Sequence, residues 1–176
     1  MKKIIFFGLG GVATVMAQCF YELFGNAQDN VQFIFVVRDK AKARKNLMHM
    51  EKALVASSFI EVKNFSQVVQ NISTYRSQFS GAIAVMNTSV PDFNDVLLKF
   101  ASILGIHYCD MASDMYNKKT LATLRFGQED YDSVFKKKNI FALINAGISP
   151  GVTNFLIGEK MLDCDDVCKT KIKSVK

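Results

Sequence analysis

The residues best suited to bind a ligand lie in a glycine-rich segment near the start of the chain. Gly8, Gly10 and Gly11 follow the apolar run of residues 4–7, and Ala13 completes the pattern G-x-G-G-x-A. The first glycine permits a tight turn off a strand, and the second lets the backbone approach a pyrophosphate. A helix that begins near Gly11 would point its free N–H groups and positive dipole end at that phosphate. The pattern is typical of a dinucleotide-binding turn, although it also occurs in turns that only pack.

The end of the second predicted strand indicates which dinucleotide would bind. Arg38 follows the aliphatic pair Val36-Val37, at the position where NAD-binding proteins usually carry Asp or Glu. A guanidinium suits a ribose 2′-phosphate, because it offers both charge and paired donors. This favours NADP and leaves NAD open, since Asp39 could turn toward a 2′-hydroxyl. The basic run of residues 40–45 either adds positive potential there or is a solvated helix face.

Alternating strands and helices must position these residues. Apolar runs predict six strands, which we place at residues 4–7, 31–37, 59–62, 81–86, 106–110 and 140–144. Helices are expected at residues 12–23, 40–56, 66–75 with Ser66 as N-cap, 94–104 with Gly105 as the stop, 121–137 and 152–161. This order predicts an α/β fold, a doubly wound parallel sheet with helices on both faces and the strand order 3-2-1-4-5-6.

The first helix is expected to bury one continuous apolar stripe. Its members recur at helical spacing and are Val12, Val15, Met16, Cys19, Phe20 and Leu23. On this basis Cys19, like Cys109 in the fifth strand, is interpreted as a small buried hydrophobe. Cys164 and Cys168 have no partners that would complete a metal site.

Length, composition and charge exclude several function classes. The 176 residues, 49% of them hydrophobic, suit one globular domain and argue against disorder. The net charge of +6 is not organised as a basic block with interleaved aromatics, so nucleic-acid binding is not expected. No apolar run is long enough for a membrane span. We expect a cytoplasmic protein with reduced thiols that acts on a small molecule.

Two further loops follow strands at the edge of the sheet where ligands bind. The polar turn Asn87-Thr88-Ser89 follows the fourth strand, and the segment from Asn145 to Phe155 contains Gly147, Pro150 and Gly151 after the sixth. Asp110 ends the fifth strand. In doubly wound folds the carboxyl ends of the strands form the binding crevice, which places these residues beside the glycine turn.

Three segments resemble a known family. Residues 8–12 (GLGGV), 106–110 (IHYCD) and 145–154 (NAGISPGVTN) are similar to the corresponding segments of the saccharopine dehydrogenase family, which includes saccharopine reductases and carboxynorspermidine and homospermidine synthases. The resemblance implies an NAD(P)-dependent oxidoreductase of amino-acid or polyamine metabolism. Such an enzyme reduces an imine formed from an amine and a carbonyl compound.

The resemblance also implies roles for individual residues. The pyrophosphate would be held by Gly8, Gly10, Gly11 and Val12, and the adenosine ribose phosphate by Arg38. The nicotinamide ribose would be lined by Asn87, Thr88 and Ser89. The nicotinamide and the substrate would border Gly147, Pro150 and Gly151. Asp110 is the candidate catalytic residue, as an electrostatic partner or proton relay near the reacting nitrogen. Its alternative role is a strand-end carboxylate that caps the next turn.

By the same resemblance, residues 1–161 form the NAD(P)-binding domain and residues 162–176 the start of a truncated or absent substrate and dimerisation domain. The full-length protein would be a homodimer. Two other functions fit the residues: an NADP-binding sensor or partner module without catalysis, and a methyltransferase-type fold that binds S-adenosylmethionine.

Overall fold

The computed structural model describes residues 2–24, 31–50, 57–112 and 131–147, together with residue 156. Its centre is a six-stranded, fully parallel sheet in the order β3-β2-β1-β4-β5-β6. The strands are β1 (Lys2–Phe7), β2 (Val31–Val37), β3 (Ser57–Glu61), β4 (Ala82–Asn87), β5 (His107–Asp110) and β6 (Ala142–Leu143). The predicted fold class and strand order are confirmed. The order reverses between β1 and β4, so the crevice of a doubly wound fold lies between these two strands.

Helices cover both faces of the sheet. They are α1 (Gly11–Phe24), α2 (Lys40–Asn46), α3 (Phe65–Gln70), α4 (Ile72–Tyr75), α5 (Asn94–Leu104) and α6 (Asp132–Lys137). A short 3₁₀ turn, Pro91–Phe93, precedes α5. Gly105 has a left-handed φ of 68° and ends α5, as predicted.

The central strands carry apolar side chains on both faces because helices cover both. Ile5 and Phe7 of β1 pack into one core layer with α3 and α5, whereas Ile4 and Phe6 pack into the other with α1 and α2. Aromatic rings link the strands to the helices, with Phe7 and Phe100 at a centroid distance of 5.3 Å. The two layers hold the carboxyl ends of the strands in fixed positions.

The buried face of α1 differs from the predicted apolar stripe. Val12, Val15, Cys19 and Leu23 are exposed, and the buried residues are instead Ala13, Thr14 and Ala17, with Met16 and Phe20 partly buried against the same layer. The glycine turn brings the first turns of α1 close to the sheet, so small side chains occupy the contact. Cys19 is therefore not a core residue, and Cys109 is only partly buried.

Short polar residues decide where the other helices begin and end. Asn64, not Ser66, caps α3, since Asn64 Oδ1 accepts from the Ser66 N–H at 2.9 Å. The single helix expected for residues 66–75 is interrupted at Asn71, where φ is −113° and ψ is 36°. The second predicted helix is shorter than expected, because α2 ends at Asn46 within the described residues.

Some predicted elements fall partly or wholly outside the described residues. These are residues 51–56 at the end of the second predicted helix, residues 121–130 at the start of the fifth, and the helix expected at residues 152–161. Of that last helix only residue 156 is described, and it is helical. The last strand is shorter than predicted, because only Ala142 and Leu143 pair with β5. Within the described ranges, no helix is both long enough and apolar enough to cross a membrane.

Candidate functional site

The glycine turn lies at the carboxyl end of β1. Gly8 has φ +96°, which residues with a side chain rarely adopt, and a Cβ there would lie 3.2 Å from Ser89 Cβ. A Cβ on Gly10 or on Gly11 would have no neighbouring atom within 4 Å. Gly8 therefore forms the turn, and the backbone of Gly10 and Gly11 borders open space of the kind that a pyrophosphate requires.

Helix α1 begins at this open space. Thr14 makes the first helical hydrogen bond, from its N–H to Gly10 O at 3.0 Å. The N–H groups of Gly11, Val12 and Ala13 precede that bond and have no partner within α1. No acidic residue lies in the first turn. Together with the dipole, these groups suit an anion.

The last residue of α2 fixes the glycine turn from the side. Asn46 Nδ2 donates to Leu9 O at 2.8 Å. This bond joins α2 to the backbone between Gly8 and Gly10 and so holds the turn on the α2 side.

The ends of β2 and β3 carry one cation and two carboxylates. Asp39 Oδ1 accepts from the Lys42 N–H at 2.9 Å, and Glu61 Oε1 accepts from the Lys40 N–H at 3.2 Å. Both carboxylates thus satisfy N–H groups at the start of α2. Arg38 is exposed and makes no hydrogen bond or ion pair with any residue that the structure describes. Its guanidinium is available for a ligand at this end of the site.

The exit of β4 is joined to the exit of β1. The Thr88 hydroxyl lies 3.0 Å from Gly8 O and 3.1 Å from Phe7 O, and the Thr88 N–H donates to Phe7 O at 3.2 Å. Ser89 is exposed directly beside Gly8. Thr88 and Ser89 therefore form one side of the opening that begins at the glycine turn.

Asn87 does not line that opening, because it is only 4% exposed. Its Oδ1 accepts from Ser89 N–H at 3.1 Å and Ser89 Oγ at 2.7 Å. Its Nδ2 donates to Val90 O at 3.2 Å and to Asn94 Oδ1 at 2.6 Å. The amide holds the turn from inside, which corrects the expectation that Asn87 faces a cofactor ribose.

Asp110 ties the exits of β5 and β6 together. It is 1% exposed. Oδ1 accepts from the Asn145 N–H at 2.7 Å, Oδ2 lies 3.1 Å from the Tyr108 hydroxyl, and the backbone O accepts from the Ala146 N–H at 2.9 Å. These contacts match the alternative role, in which the carboxylate organises the next turn. A contact with a reacting nitrogen stays a prediction.

Burial and the charge of Asp110 hold two neighbouring groups in their neutral forms. Burial first, and the Asp110 carboxylate second, raise the pKa of the Tyr108 hydroxyl above its ordinary value. The same two causes, in the same order, raise the pKa of the Cys109 thiol to about 11. Tyr108 is therefore a hydrogen-bond donor at neutral pH, and Cys109 is a poor nucleophile.

The segment after β6 approaches β5 closely. Asn145 has a left-handed φ of 59°, and its Oδ1 is buried without a hydrogen-bond partner among the described residues. A Cβ on Gly147 would collide with Met111 O. Gly147 is thus required for the close approach of two backbones at this edge, whether or not it also borders a ligand.

Comparisons with known proteins agree with this fold. No family model matches the chain. A curated relative, carboxyaminopropylagmatine dehydrogenase of Synechocystis, is 26% identical over 154 residues, which are 87% of this chain and 36% of the relative. The solved structure of saccharopine dehydrogenase (L-Glu forming) from Saccharomyces cerevisiae superimposes with a TM-score of 0.63 at 17% identity, over 93% of this chain and 31% of that one. The chain therefore shares the Rossmann fold of that structure and is similar in sequence to the curated relative.

This Rossmann domain spans about a third of the length of those two relatives. Its fold is also shared with the WlbA dehydrogenase from Bordetella pertussis, solved in complex with NADH and UDP-GlcNAcA. That structure superimposes with a TM-score of 0.51 at 12% identity, over 93% of this chain and 43% of the other. The same fold therefore occurs in dehydrogenases that are named for different substrates.

The structure brings most of the predicted site residues of the Rossmann domain to one edge of the sheet. Those at the edge are Gly8, Gly10, Gly11, Val12, Arg38, Asn87, Thr88, Ser89, Asp110 and Gly147, whereas Pro150 and Gly151 lie outside the described residues. Arg44 of the basic run is engaged elsewhere, since its guanidinium lies 5.7 Å from the centroid of the Phe59 ring. The open glycine backbone, the available Arg38 and the unpaired Asn145 Oδ1 fit a dinucleotide.

Sequence reasoning missed the residues that hold the site from behind. Asn46, Asn94 and Tyr108 bond to the loops of the edge, but no motif marks them. The only indication in the sequence was a polar side chain at a position where a packed helix or a buried strand usually has an apolar one.

Proposed function

We propose that this domain binds a nicotinamide dinucleotide, with NADP favoured, as part of an oxidoreductase that reduces an imine formed from an amine and a carbonyl compound. The observation that carries the proposal is the open backbone at Gly10 and Gly11, at the head of α1 and at the switch point of the sheet. A pyrophosphate there would meet unpaired N–H groups and a favourable dipole. The whole protein's reaction rests on this binding step.

Each side of the edge has a distinct task in the proposed site. The N–H groups of Gly11 and Val12 bind the pyrophosphate, and Arg38 binds the phosphate on the adenosine ribose. Thr88 and Ser89 orient the ribose of the nicotinamide. When bound, the nicotinamide supplies the hydride for reduction. Gly147, with Pro150 and Gly151, borders the nicotinamide and the substrate.

The preference for NADP is supported by which charges are already engaged. Asp39 and Glu61 bind backbone N–H groups of α2, whereas Arg38 has no partner among the described residues. Each carboxylate thus already uses one oxygen to accept from α2, whereas the Arg38 guanidinium offers all its donors to a 2′-phosphate.

The substrate class is supported by the resemblance and by the names of the relatives. The curated relative is named a carboxyaminopropylagmatine dehydrogenase, and the yeast structure is a saccharopine dehydrogenase. In the proposed reaction Asp110 would stabilise positive charge near the reacting nitrogen from its buried position. We further propose that the full-length enzyme is a homodimer and that residues 1–161 are its nucleotide-binding part.

The test is calorimetric titration of the chain with NADPH and NADH. In Arg38→Ala we expect the NADPH affinity to fall by about 10- to 100-fold, while the NADH affinity stays within about twofold. Lys45→Ala is the matched control, because Lys45 is an exposed cation of α2 and its loss removes the same charge. That variant should bind both cofactors like the wild type.

Two outcomes would count against the proposal. Binding of S-adenosylmethionine without NADPH or NADH would point to the methyltransferase type. An equal loss of both affinities in Arg38→Ala would remove the role of Arg38 in reading the 2′-phosphate.

A further inference from the structure

We propose that Asn94 is a positioning residue for the nicotinamide half of the site. The inference rests on the proposed function and deepens it. Asn94 is the first residue of α5, is 5% exposed and faces no open space. It therefore acts on the edge through other side chains.

The Asn94 amide joins the exits of two strands. Its Oδ1 accepts from Asn87 Nδ2 at 2.6 Å and lies 3.0 Å from the Tyr108 hydroxyl. Its Nδ2 donates to Ala112 O at 2.8 Å, two residues after Asp110. One side chain thus contacts the exit of β4, the interior of β5 and the turn that follows β5.

An amide side chain can form hydrogen bonds with all of these partners at once. Asn87 presents a donor, while Ala112 presents an acceptor, so the side chain between them needs both an oxygen and an N–H₂ group. A carboxylate would set an acceptor against Ala112 O, and an apolar side chain would remove the bonds that Asn94 makes to Asn87 Nδ2 and to Ala112 O in a buried place. Asn94 meets this demand without strain, since its backbone continues into α5.

The contacts continue from Asn94 to an exposed residue. Asn94 holds the Asn87 amide, whose Oδ1 in turn accepts from the Ser89 N–H and hydroxyl. The Tyr108 hydroxyl lies between Asn94 Oδ1 and Asp110 Oδ2, and Asp110 binds the Asn145 N–H. The orientation of Ser89 and of the segment after β6 therefore depends on the amide of Asn94.

The residues proposed for the adenosine half make no direct hydrogen bond to this network, and the two halves meet where Thr88 contacts Gly8. Gly10, Arg38 and Asn46 belong to the β1, β2 and α2 side of the sheet, and none of them contacts Asn94, Asn87 or Tyr108 through a hydrogen bond. A change at Asn94 should therefore affect the nicotinamide half and leave the adenosine half intact.

The experiment compares NADPH with adenosine 2′,5′-bisphosphate, which carries the 2′-phosphate and adenosine but no nicotinamide. In Asn94→Asp, we expect the NADPH affinity to fall about tenfold or more, while the affinity for the bisphosphate stays within about twofold. Ser102→Ala is the matched control, since Ser102 is a buried polar residue of α5 whose hydroxyl bonds only to Lys99 O among the described residues. It should bind both ligands like the wild type.

A second variant keeps the test available if Asn94→Asp does not fold. Tyr108→Phe removes one oxygen from the same network without adding a charge, and the same selective loss of NADPH affinity is expected. Equal losses for both ligands, or no loss for either, would overturn the positioning role. So would wild-type protein that binds NADPH no more tightly than the bisphosphate.

Failure of the proposed function would look different. Wild-type protein that bound neither NADPH, NADH nor the bisphosphate would contradict the nucleotide site itself, and the role of Asn94 would fall with it. Wild-type binding of NADPH with unchanged binding in Asn94→Asp would contradict the role of Asn94 alone.

Discussion

The Thr88 hydroxyl lies 3.0 Å from the carbonyl oxygen of Gly8, so the exit of β4 is joined to the turn that begins the nucleotide site. The two residues are 80 positions apart in the chain. They meet because β1 and β4 are neighbours at the point where the strand order reverses. The contact couples the pyrophosphate side of the opening to the side proposed for the nicotinamide ribose.

Replacing Thr88 tests this coupling. Thr88→Val keeps the branched shape but removes the donor to Phe7 O and Gly8 O, so we expect a loss of about 1 kcal/mol in the free energy of unfolding. NADPH affinity should fall by a factor of about 3 to 10, since the glycine turn loses a fixed neighbour. Urea unfolding and calorimetry measure the two effects. Thr88→Ser, which retains the hydroxyl, should behave like the wild type, and a similar loss there would contradict the hydrogen-bond account.

Gly10→Ala separates binding from folding. A Cβ at Gly10 meets no atom within 4 Å, so the free energy of unfolding should change by less than about 1 kcal/mol. The same Cβ would occupy the space proposed for the pyrophosphate, and NADPH affinity should fall by at least about tenfold. Gly8→Ala gives the contrast: with φ +96° and Ser89 at 3.2 Å, it should cost about 1–3 kcal/mol of stability without any ligand. Undiminished NADPH binding in Gly10→Ala would place the phosphate elsewhere.

Asp39 distinguishes a helix cap from a ribose ligand. Asp39→Ala should destabilise the protein by about 1 kcal/mol, because the Lys42 N–H loses its acceptor. Asp39→Asn retains a capping oxygen and should keep both stability and NADH affinity, the latter within about twofold. Thermal unfolding and calorimetry with NADH provide the readout. A selective loss of NADH binding in Asp39→Asn would show that the carboxylate reads a 2′-hydroxyl after all.

Cys109 should make the stability depend on alkaline pH. Burial and then the Asp110 charge raise its pKa from 9.0 to about 11 in the folded protein, so the neutral thiol is favoured there. Between these values the unfolded chain loses a proton that the folded protein keeps, and stability falls as pH rises. The wild type should therefore lose on the order of 1–2 kcal/mol relative to Cys109→Ala between pH 9 and pH 11. Urea unfolding at intervals across this range measures the difference. A constant difference for Cys109→Ala would show that Asp110 and burial do not act on the thiol.

The fold was largely predictable because its determinants are local. Apolar runs bounded by turns gave the six strands in order, and the glycine turn marked the start of α1. Boundaries were less accurate where a single side chain decides them, as with Asn64 in place of Ser66 at the start of α3. The exposed Val12, Val15 and Leu23 show a second kind of error, since periodicity cannot indicate how closely a helix lies on its sheet.

The candidate site was likewise predictable in part. The sequence identified the glycines, Arg38 and the turn after β4, because short motifs of known spacing mark residues of these types. The bond of Asn46 to Leu9 and the meeting of Asn94 with Asn87 and Tyr108 were not, because each joins residues from different elements. No local pattern specifies which polar atoms will face each other once strands and helices pack.

The sequence alone thus determined the order of the elements, the dinucleotide-type turn and the position of Arg38, since propensity, periodicity and backbone freedom act over a few residues. Only the tertiary structure decided that Asn87 is buried and Ser89 exposed. It also decided that Asp39 and Glu61 accept hydrogen bonds from α2 while Arg38 is available to a ligand. The same holds for the bond of Asp110 to the segment after β6. These outcomes depend on burial and on hydrogen bonds between distant segments. Such contacts form only when the parallel sheet brings the carboxyl ends of its strands together.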